Sequence, residues 1–173
     1  QQAFTAGTNP TVSNAEYSTA FTAVEAESFD MIVVDSADAA VHALLLTYIQ
    51  RIYADGAYPM AVVSNLSTVT LATRMSNAAT FNDEKMHYVL NSWKDADGNI
   101  YDGYLAAARI AGMIVSCPSN ESLTHAVIPD AVALNELLSN AQVKAALKTG
   151  CIALTMNSKL TYGCHYCFFL KRY

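Results

Sequence analysis

Cysteine and histidine side chains near the end of the chain are of the types that bind zinc. They form a single CxxC pair, Cys164-His165-Tyr166-Cys167. A structural zinc site needs four ligands, and no second CxxC or HxxxH pattern lies nearby. A thioredoxin-type redox pair opens a helix early in its domain, whereas this pair closes the chain. The sequence therefore favours an apolar tail here, with zinc binding and redox chemistry as alternatives.

Acidic and amide residues in the middle of the chain have part of the spacing of a calcium-binding loop. Asp95, Asp97 and Asn99 alternate as the first three ligands of such a loop do. However, the glycine stands at the fourth position and not the sixth, where Ile100 lies, and Asp102 falls at position eight. Asp-Gly and Asn also make ordinary turns, so we favour a surface turn over a calcium site.

The residue types of a serine hydrolase triad are also present. Asp35, Ser122 and either His42 or His125 could supply the acid, the nucleophile and the base. No serine lies in a GxSxG elbow, and the apolar residues around His42 favour a histidine packed within a helix. Neither GxGxxG nor GxxxxGK[ST] occurs, so no phosphate cradle is expected. We therefore predict no catalytic residue, cofactor or metal. The remaining histidines, expected to be structural or exposed, are His87 and His165.

Composition indicates one packed domain. Of the 173 residues, 53% are hydrophobic and only 14% are charged. So few charges indicate that other protein covers part of the surface. A net charge of −5 without a basic run argues against nucleic-acid binding. The longest uncharged stretch, residues 56–73, is interrupted by polar residues, so we expect no membrane span. From the start at Gln1 we expect no signal peptide and a trimmed piece of a longer chain.

Helices and strands alternate along the first half of the chain. A capping box at Ser13 and Glu16 predicts a helix over about 14–28, and Ser36 is expected to cap a second helix that ends at Gly56. Continuous apolar runs typical of buried strands occupy residues 30–34 and 59–63. This order predicts a right-handed βαβ unit and a parallel sheet that is covered on both faces.

The second half continues the alternation. We predict a loop with at most a short helix at 64–80, a strand at 86–92, a polar turn at 95–103, a helix at 104–115, a helix from the capping box at Ser139 to Gly150, and a final strand at 151–155. Small residues on the helix at 104–115 should let another backbone approach closely: Ala107, Ala108, Ala111 and Gly112. We therefore expect an α/β protein with three layers, α/β/α, and a mostly parallel sheet.

Three sequence blocks resemble the central domain of phage tail sheath proteins, which is called subtilisin-like for its fold. The blocks occupy residues 107–114, 118–124 and 140–150, in the order and spacing of that family. Shorter similarities lie at residues 6–10, 15–17, 25–30 and 81–84. The resemblance implies that residues 1–155 form the central domain of a longer chain. Residues 156–173 then form an atypical C-terminal tail.

The resemblance implies a structural protein without a catalytic residue. Sheath subunits stack in helical rings around a tail tube, then shorten and widen to drive the tube through the bacterial envelope. The implied partners are other sheath subunits, the tube protein, the baseplate and the tail terminator, with no nucleic acid and no small-molecule substrate. The implied location is the virion tail, assembled in the host cytoplasm. The alternatives are a small α/β hydrolase and a sheath-like subunit of a bacterial injection or secretion system.

Overall fold

A computed structural model describes residues 12–118, 120–124, 126–156 and 162–165 of the chain. Within these ranges the chain forms a five-stranded sheet, a small three-stranded sheet and the helices around them. The helices are α1 (Asn14–Ala23), α2 (Ala39–Ala54), α3 (Leu71–Phe81), α4 (Gly103–Ser116) and α5 (Asn140–Lys148). The strands are β1 (Met31–Val33), β2 (Met60–Ser64), β3 (Met86–Val89), β4 (Trp93–Lys94), β5 (Ile100–Tyr101), β6 (Ala133–Leu134), β7 (Cys151–Met156) and β8 (Tyr162–His165).

The large sheet has the strand order β1-β2-β3-β7-β8. Its first four strands are parallel, and β8 pairs with β7 in the antiparallel direction. The prediction of a βαβ unit with a mostly parallel sheet is therefore confirmed. The strand at 151–155 is not the last one, because β8 follows it and forms an edge of the sheet.

Helices cover both faces of this sheet. Strand residues alternate between the two faces, as the two-residue period of a strand requires. Ala61, Val63 and Tyr88 pack in one core with α1, α2, α3 and α5, whereas Val62 and Val89 pack in a second core with α4. The three-layer α/β/α arrangement is confirmed.

Local capping signals define most of the helix starts. The capping boxes predicted at Ser13 and Ser139 are both present, each with its side chain bonded to the backbone of its own first turn. Asp38, not Ser36, caps α2, because the Asp38 carboxylate accepts a bond from the Ala40 N–H at 2.9 Å. The Ser36 hydroxyl instead accepts a bond from the Asp38 N–H at 3.1 Å and braces the turn before the helix.

Two predictions about helices in the first half of the chain were wrong. α1 ends at Ala23 and not near residue 28. The next residues include Glu25 and Glu27, and negative charge is unfavourable at the C-terminal end of a helix. α3 is a full helix where we predicted mainly a loop, because its apolar residues pack on the core at helical spacing: Leu71, Met75 and Ala78. Asn82 then ends α3 in the left-handed conformation, with φ of 38°.

Two further predictions for the second half differ from the structure. β3 ends at Val89 and not at residue 92, because the chain then leaves the large sheet for β4. On α4, Ala107 and Ala111 are buried as expected, but Ala108 and Gly112 are exposed. The buried face of α4 is completed by other residues: Gly103, Ala106 and Ile110. The face of α4 that packs on the sheet is thus a wider apolar stripe than the small-residue face that we predicted.

The small sheet, with order β5-β4-β6, extends from the carboxyl end of β3. Trp93 in β4 is 1% exposed, and its ring stacks on the ring of Tyr101 in β5 with centroids 5.4 Å apart and planes 3° from parallel. Trp93 and Leu134 in β6 belong to the same core as α4, so the small sheet is fastened to the rest of the domain through packed apolar side chains.

Candidate functional site

The carboxyl ends of the parallel strands are the place where open α/β sheets usually bind ligands. Here that edge holds five polar side chains, which we call the polar edge: Asn65, Arg74, Tyr88, Asn91 and Glu136. They lie just past β2, on α3, within β3, just past β3 and between β6 and α5. Four of them are buried, and Glu136 is partly exposed. What these groups contact decides whether the edge can receive a ligand.

Asn65 joins β2 to its neighbours on three sides. Its amide donates to the carbonyl of Ala37 ahead of α2, and its side-chain oxygen accepts from the hydroxyl of Tyr88 in β3. The same oxygen accepts from the Asn77 amide on α3 at 3.0 Å. Burial raises the pKa of Tyr88, so its phenol stays protonated and acts as a donor.

Arg74 carries a buried positive charge that is fully engaged. Its side chain is 2% exposed, and its Nε donates to the carbonyl of Val69 at 2.9 Å. One terminal nitrogen donates to the carbonyl of Leu90 just past β3, and the other forms an ion pair with the Glu136 carboxylate. The Glu136 carboxylate thus neutralises the charge of the guanidinium. The three bonds of Arg74 also tie α3 to both β3 and the segment after β6.

Asn91 takes the place of a missing backbone pair between β3 and β7. Its amide donates to the carbonyl of Leu154 at 2.9 Å, and its side-chain oxygen accepts from the Leu154 N–H at 2.8 Å. The amide also donates to the carbonyl of Glu136 at 3.2 Å. The two strands therefore stay joined beyond the point where their ladder ends.

The polar edge is filled by groups that bond to one another. None of its five side chains presents an unengaged nucleophile or base within the described ranges. Two buried hydroxyls beside it, on Ser92 and Thr155, have no hydrogen-bond partner among the described residues. The arrangement can hold the sheet ends in one geometry, which is a structural task.

The structure gives separate partners to the residues that were considered for a triad. The Asp35 carboxylate accepts from the Tyr17 hydroxyl at 3.0 Å, and the Ser122 hydroxyl donates to that of Thr124 at 2.9 Å. His42 is buried on α2, where its Nε2 donates to the Ser36 carbonyl at 2.9 Å. Burial lowers the pKa of His42, so the ring is neutral near pH 7. The fourth candidate, His125, lies outside the described residues.

The acidic segment forms a turn between β4 and β5. The Asp95 carboxylate accepts bonds from the backbone of Asp97 and Asn99 at 3.0 and 2.8 Å and from the Asn99 amide at 2.9 Å. The bond from the Asn99 amide is the main reason that the pKa of Asp95 is lowered. Asp102 instead accepts from the backbone and hydroxyl of Ser67 at 3.0 and 2.7 Å. Asp95 thus serves the turn, and Asp102 fastens the loop after β2 to the start of α4.

The described ranges bear on metal binding and on a membrane span. No group of three or more histidine, cysteine, aspartate and glutamate side chains there is placed to hold a metal ion. The Cys164 and His165 side chains and all of Cys167 lie outside what the structure describes, so the CxxC prediction stays a prediction. No helix in the described part of the chain combines the length and apolar character that a membrane span needs.

Sequence reasoning did not identify the polar edge. Asn65 and Asn91 follow directly after apolar strands, and that position at the carboxyl end of a parallel strand was a usable signal. Arg74 and Glu136 are 62 residues apart, and no sequence spacing connects them. The ion pair is visible only once the fold brings α3 beside the segment after β6.

Comparison with known proteins agrees with this architecture. The sequence profile of the phage tail sheath protein central domain matches residues 11–159. A sheath tail protein from Desulfitobacterium hafniense superposes with a TM-score of 0.76 at 28% identity, over 90% of this chain and 34% of that one. One from Listeria innocua has the same fold, with a TM-score of 0.74 at 24% identity, over 93% of this chain and 34% of that one.

The chain thus spans about a third of the length of these solved relatives. The search of curated proteins gave no significant match. The family profile, by contrast, covers all the strands and helices described here except β8. The chain therefore belongs to the phage tail sheath protein family, and its matched region corresponds to that family's central domain.

Proposed function

We propose that this protein is a structural subunit of a contractile tail sheath, in a bacteriophage or a phage-like particle. It polymerises helically around the tail tube and contracts to drive the tube through the bacterial envelope. The observation that carries the proposal is the match of residues 11–159 to the central domain of the sheath family. The polar edge agrees with it, because the place where an α/β enzyme binds its substrate is filled by side chains that bond to one another or to the backbone.

Contraction is a switch between two packings of nearly rigid bodies. Such a switch needs a subunit that keeps its shape while its contacts change. The contacts of Arg74 and Asn91 join β3, β7, α3 and the segment after β6, and so suit the domain to this task. The contracted packing is downhill because it buries more complementary surface between subunits.

The surface suits assembly with other protein. Large apolar side chains are exposed at scattered positions, the most open being Tyr58 at 72% and Leu137 at 70%. β1 and β8 are the two edges of the large sheet, and an edge strand can pair with a strand of a neighbour. The partners in this proposal are other sheath subunits, the tube protein, the baseplate and the tail terminator, all in the virion tail.

The division of the chain forms part of the same proposal. Residues 1–155 form the central domain and bind no catalytic metal or cofactor, and residues 156–173 form the C-terminal tail. Within that tail, residues 162–165 add β8 to the sheet of the central domain. The tail therefore extends the sheet edge that an adjacent subunit could use.

Negative-stain electron microscopy of the protein in its full natural length tests this proposal. At high concentration, striated hollow cylinders are the expected result, because a helical sheath has a distinctive appearance. Dispersed particles from a sample with both termini verified by mass spectrometry would contradict the sheath function. In that case, a screen for ester and peptide hydrolysis, with Ser122→Ala as the matched variant, would test the enzymatic alternative.

A further inference from the structure

Charge is segregated along this chain. The first 50 residues contain six Asp and Glu and no Lys or Arg. From residue 137 onward there are five Lys and Arg and no Asp or Glu. The net charge of −5 does not reveal this uneven distribution of acidic and basic residues. Opposite charges at the two ends of a sequence matter for assembly only if the fold places them on different surfaces, which the strand order decides.

The acidic part of the chain surrounds one edge of the large sheet. β1 is the edge strand, with Glu27 and Asp30 ahead of it and Asp35 and Asp38 after it. All four carboxylates are exposed, and we call this set the acidic edge. The nearby Arg51 does not neutralise it, because its guanidinium makes two bonds of 2.6 Å to Glu25.

A basic groove lies toward the opposite edge, beside β7. It has a volume of about 530 Å³ and lies between α5, the segment before it and the end of β7. Its lining is mostly apolar and includes Leu137, Leu138, Val143, Leu147 and Met156. Leu137 and Met156 are 70% and 45% exposed, so this apolar surface is open to a partner.

Two lysines give the groove its charge. Lys144 lines it, and Lys148 lies one helical turn further along α5. Both side chains are exposed, and neither forms an ion pair within the described ranges. The carboxylate nearest in sequence, Glu136, is already paired with Arg74. The groove therefore offers apolar surface together with uncompensated positive charge.

The acidic edge and the basic groove lie toward opposite edges of the large sheet. β1 and β7 are separated by β2 and β3, which puts them about 14 Å apart at the usual spacing of neighbouring strands. A contact that joins these two surfaces is therefore one between copies and not within one copy. A contact between two different surfaces of identical subunits is heterologous, and its repetition produces a ring or an open helix.

We propose that the basic groove of one copy receives residues 24–30 of a second copy. That segment has both features that the groove requires, with Val24 37% exposed and Glu27 and Asp30 as exposed carboxylates. Val24 packs against the apolar lining, while the carboxylates face Lys144 and Lys148. This inference rests on the proposed function, since it names the surfaces through which sheath subunits meet. Charge complementarity of this kind sets the register and the rate of assembly.

Charge reversal of the basic groove, of the acidic segment at residues 24–30 and then of both together tests the pairing in the full-length protein. One variant carries Lys144→Glu and Lys148→Glu, a second carries Glu27→Lys and Asp30→Lys, and a third carries all four changes. We expect each two-site variant to raise the protein concentration needed for cylinder formation at least about tenfold. The four-site variant should recover most of the loss, because the charges are again opposite.

Matched controls make the same charge changes away from both surfaces. Lys94→Glu and Asp97→Lys lie at the β4–β5 hairpin, and we expect them to leave the concentration for assembly within about twofold of the wild type. Raising the salt concentration should weaken the wild type and reduce the difference between the wild type and the two-site variants. Circular dichroism establishes that each variant is folded, with Lys144→Ala and Lys148→Ala as replacements if the reversal unfolds the domain.

The outcomes separate this inference from the proposed function. If the wild type forms cylinders and the groove variant assembles as well as the controls, the pairing is wrong and the sheath function stands. Failure of the four-site variant to recover also overturns the pairing. If the wild type forms no cylinders, the sheath function fails. Sedimentation equilibrium of the same variants then still decides whether these two surfaces drive self-association.

Discussion

Replacement of Arg74 by leucine should be strongly destabilising, because it breaks the buried ion pair of the polar edge. The change leaves the carbonyls of Val69 and Leu90 and the Glu136 carboxylate without their donor. Removing one partner of a buried pair costs about 3–5 kcal/mol. Glu136 is 34% exposed and regains some water, which reduces the cost, whereas Leu90 is fully buried and its carbonyl does not. We therefore expect a loss of about 3–4 kcal/mol.

Urea denaturation followed by far-UV circular dichroism measures this loss. With a slope of about 2 kcal/mol per molar urea, the midpoint should fall by about 1.5–2 M. Arg51→Leu is the matched control, because Arg51 pairs with Glu25 at the surface and is 48% exposed. That change should cost less than about 1 kcal/mol. An Arg74→Leu midpoint no lower than that of Arg51→Leu would refute the interpretation of the polar edge as a structural network.

Three further predictions concern local conformation, protonation and reactivity. Asn82 has a φ of 38°, so Asn82→Ala should destabilise the domain by about 1 kcal/mol and Asn82→Gly should not, as thermal unfolding can show. Burial lowers the pKa of His42 and His87 in the folded protein. As the pH falls below about 6.5, these histidines therefore bind protons more readily in the unfolded chain than in the folded protein. The free energy of unfolding should therefore decrease between about pH 7 and 5, and His42→Gln should reduce that dependence; equal slopes would contradict this. Burial raises the pKa of Cys151 to about 11, so iodoacetamide at a pH of about 8 should label Cys117 before Cys151 in the folded protein, and peptide mass spectrometry would expose equal labelling.

Local signals in the sequence were sufficient for much of the fold. The serines at 13 and 139 each start a helix through contacts three residues away, and Gly56 and Gly150 adopt positive φ after their helices. Such interactions are visible in a short window of sequence. α3 was missed because the Ser, Thr and Asn residues in and before it have low helix propensity and resemble a loop, whereas its apolar face is recognised once it packs on the core.

The candidate site could not be predicted in the same way. Asn91 bonds to Leu154, 63 residues later, and Arg74 pairs with Glu136, 62 residues later. These contacts depend on which strand follows which in the sheet, and one sequence contains no periodic signal for that order. The usable signal for this edge was the presence of polar residues directly after two apolar strands, Asn65 after β2 and Asn91 after β3.

The stacked pair of Trp93 and Tyr101 in the small sheet provides an intrinsic fluorescence probe of the domain. Trp93 is the only tryptophan of the chain, so all tryptophan emission comes from one site. That site lies where the small sheet joins the core of α4, with Tyr101 stacked on the indole. Its fluorescence should change when this junction opens, whereas circular dichroism follows the helices. Comparing the two signals during unfolding would show whether the small sheet separates before the main body or melts with it.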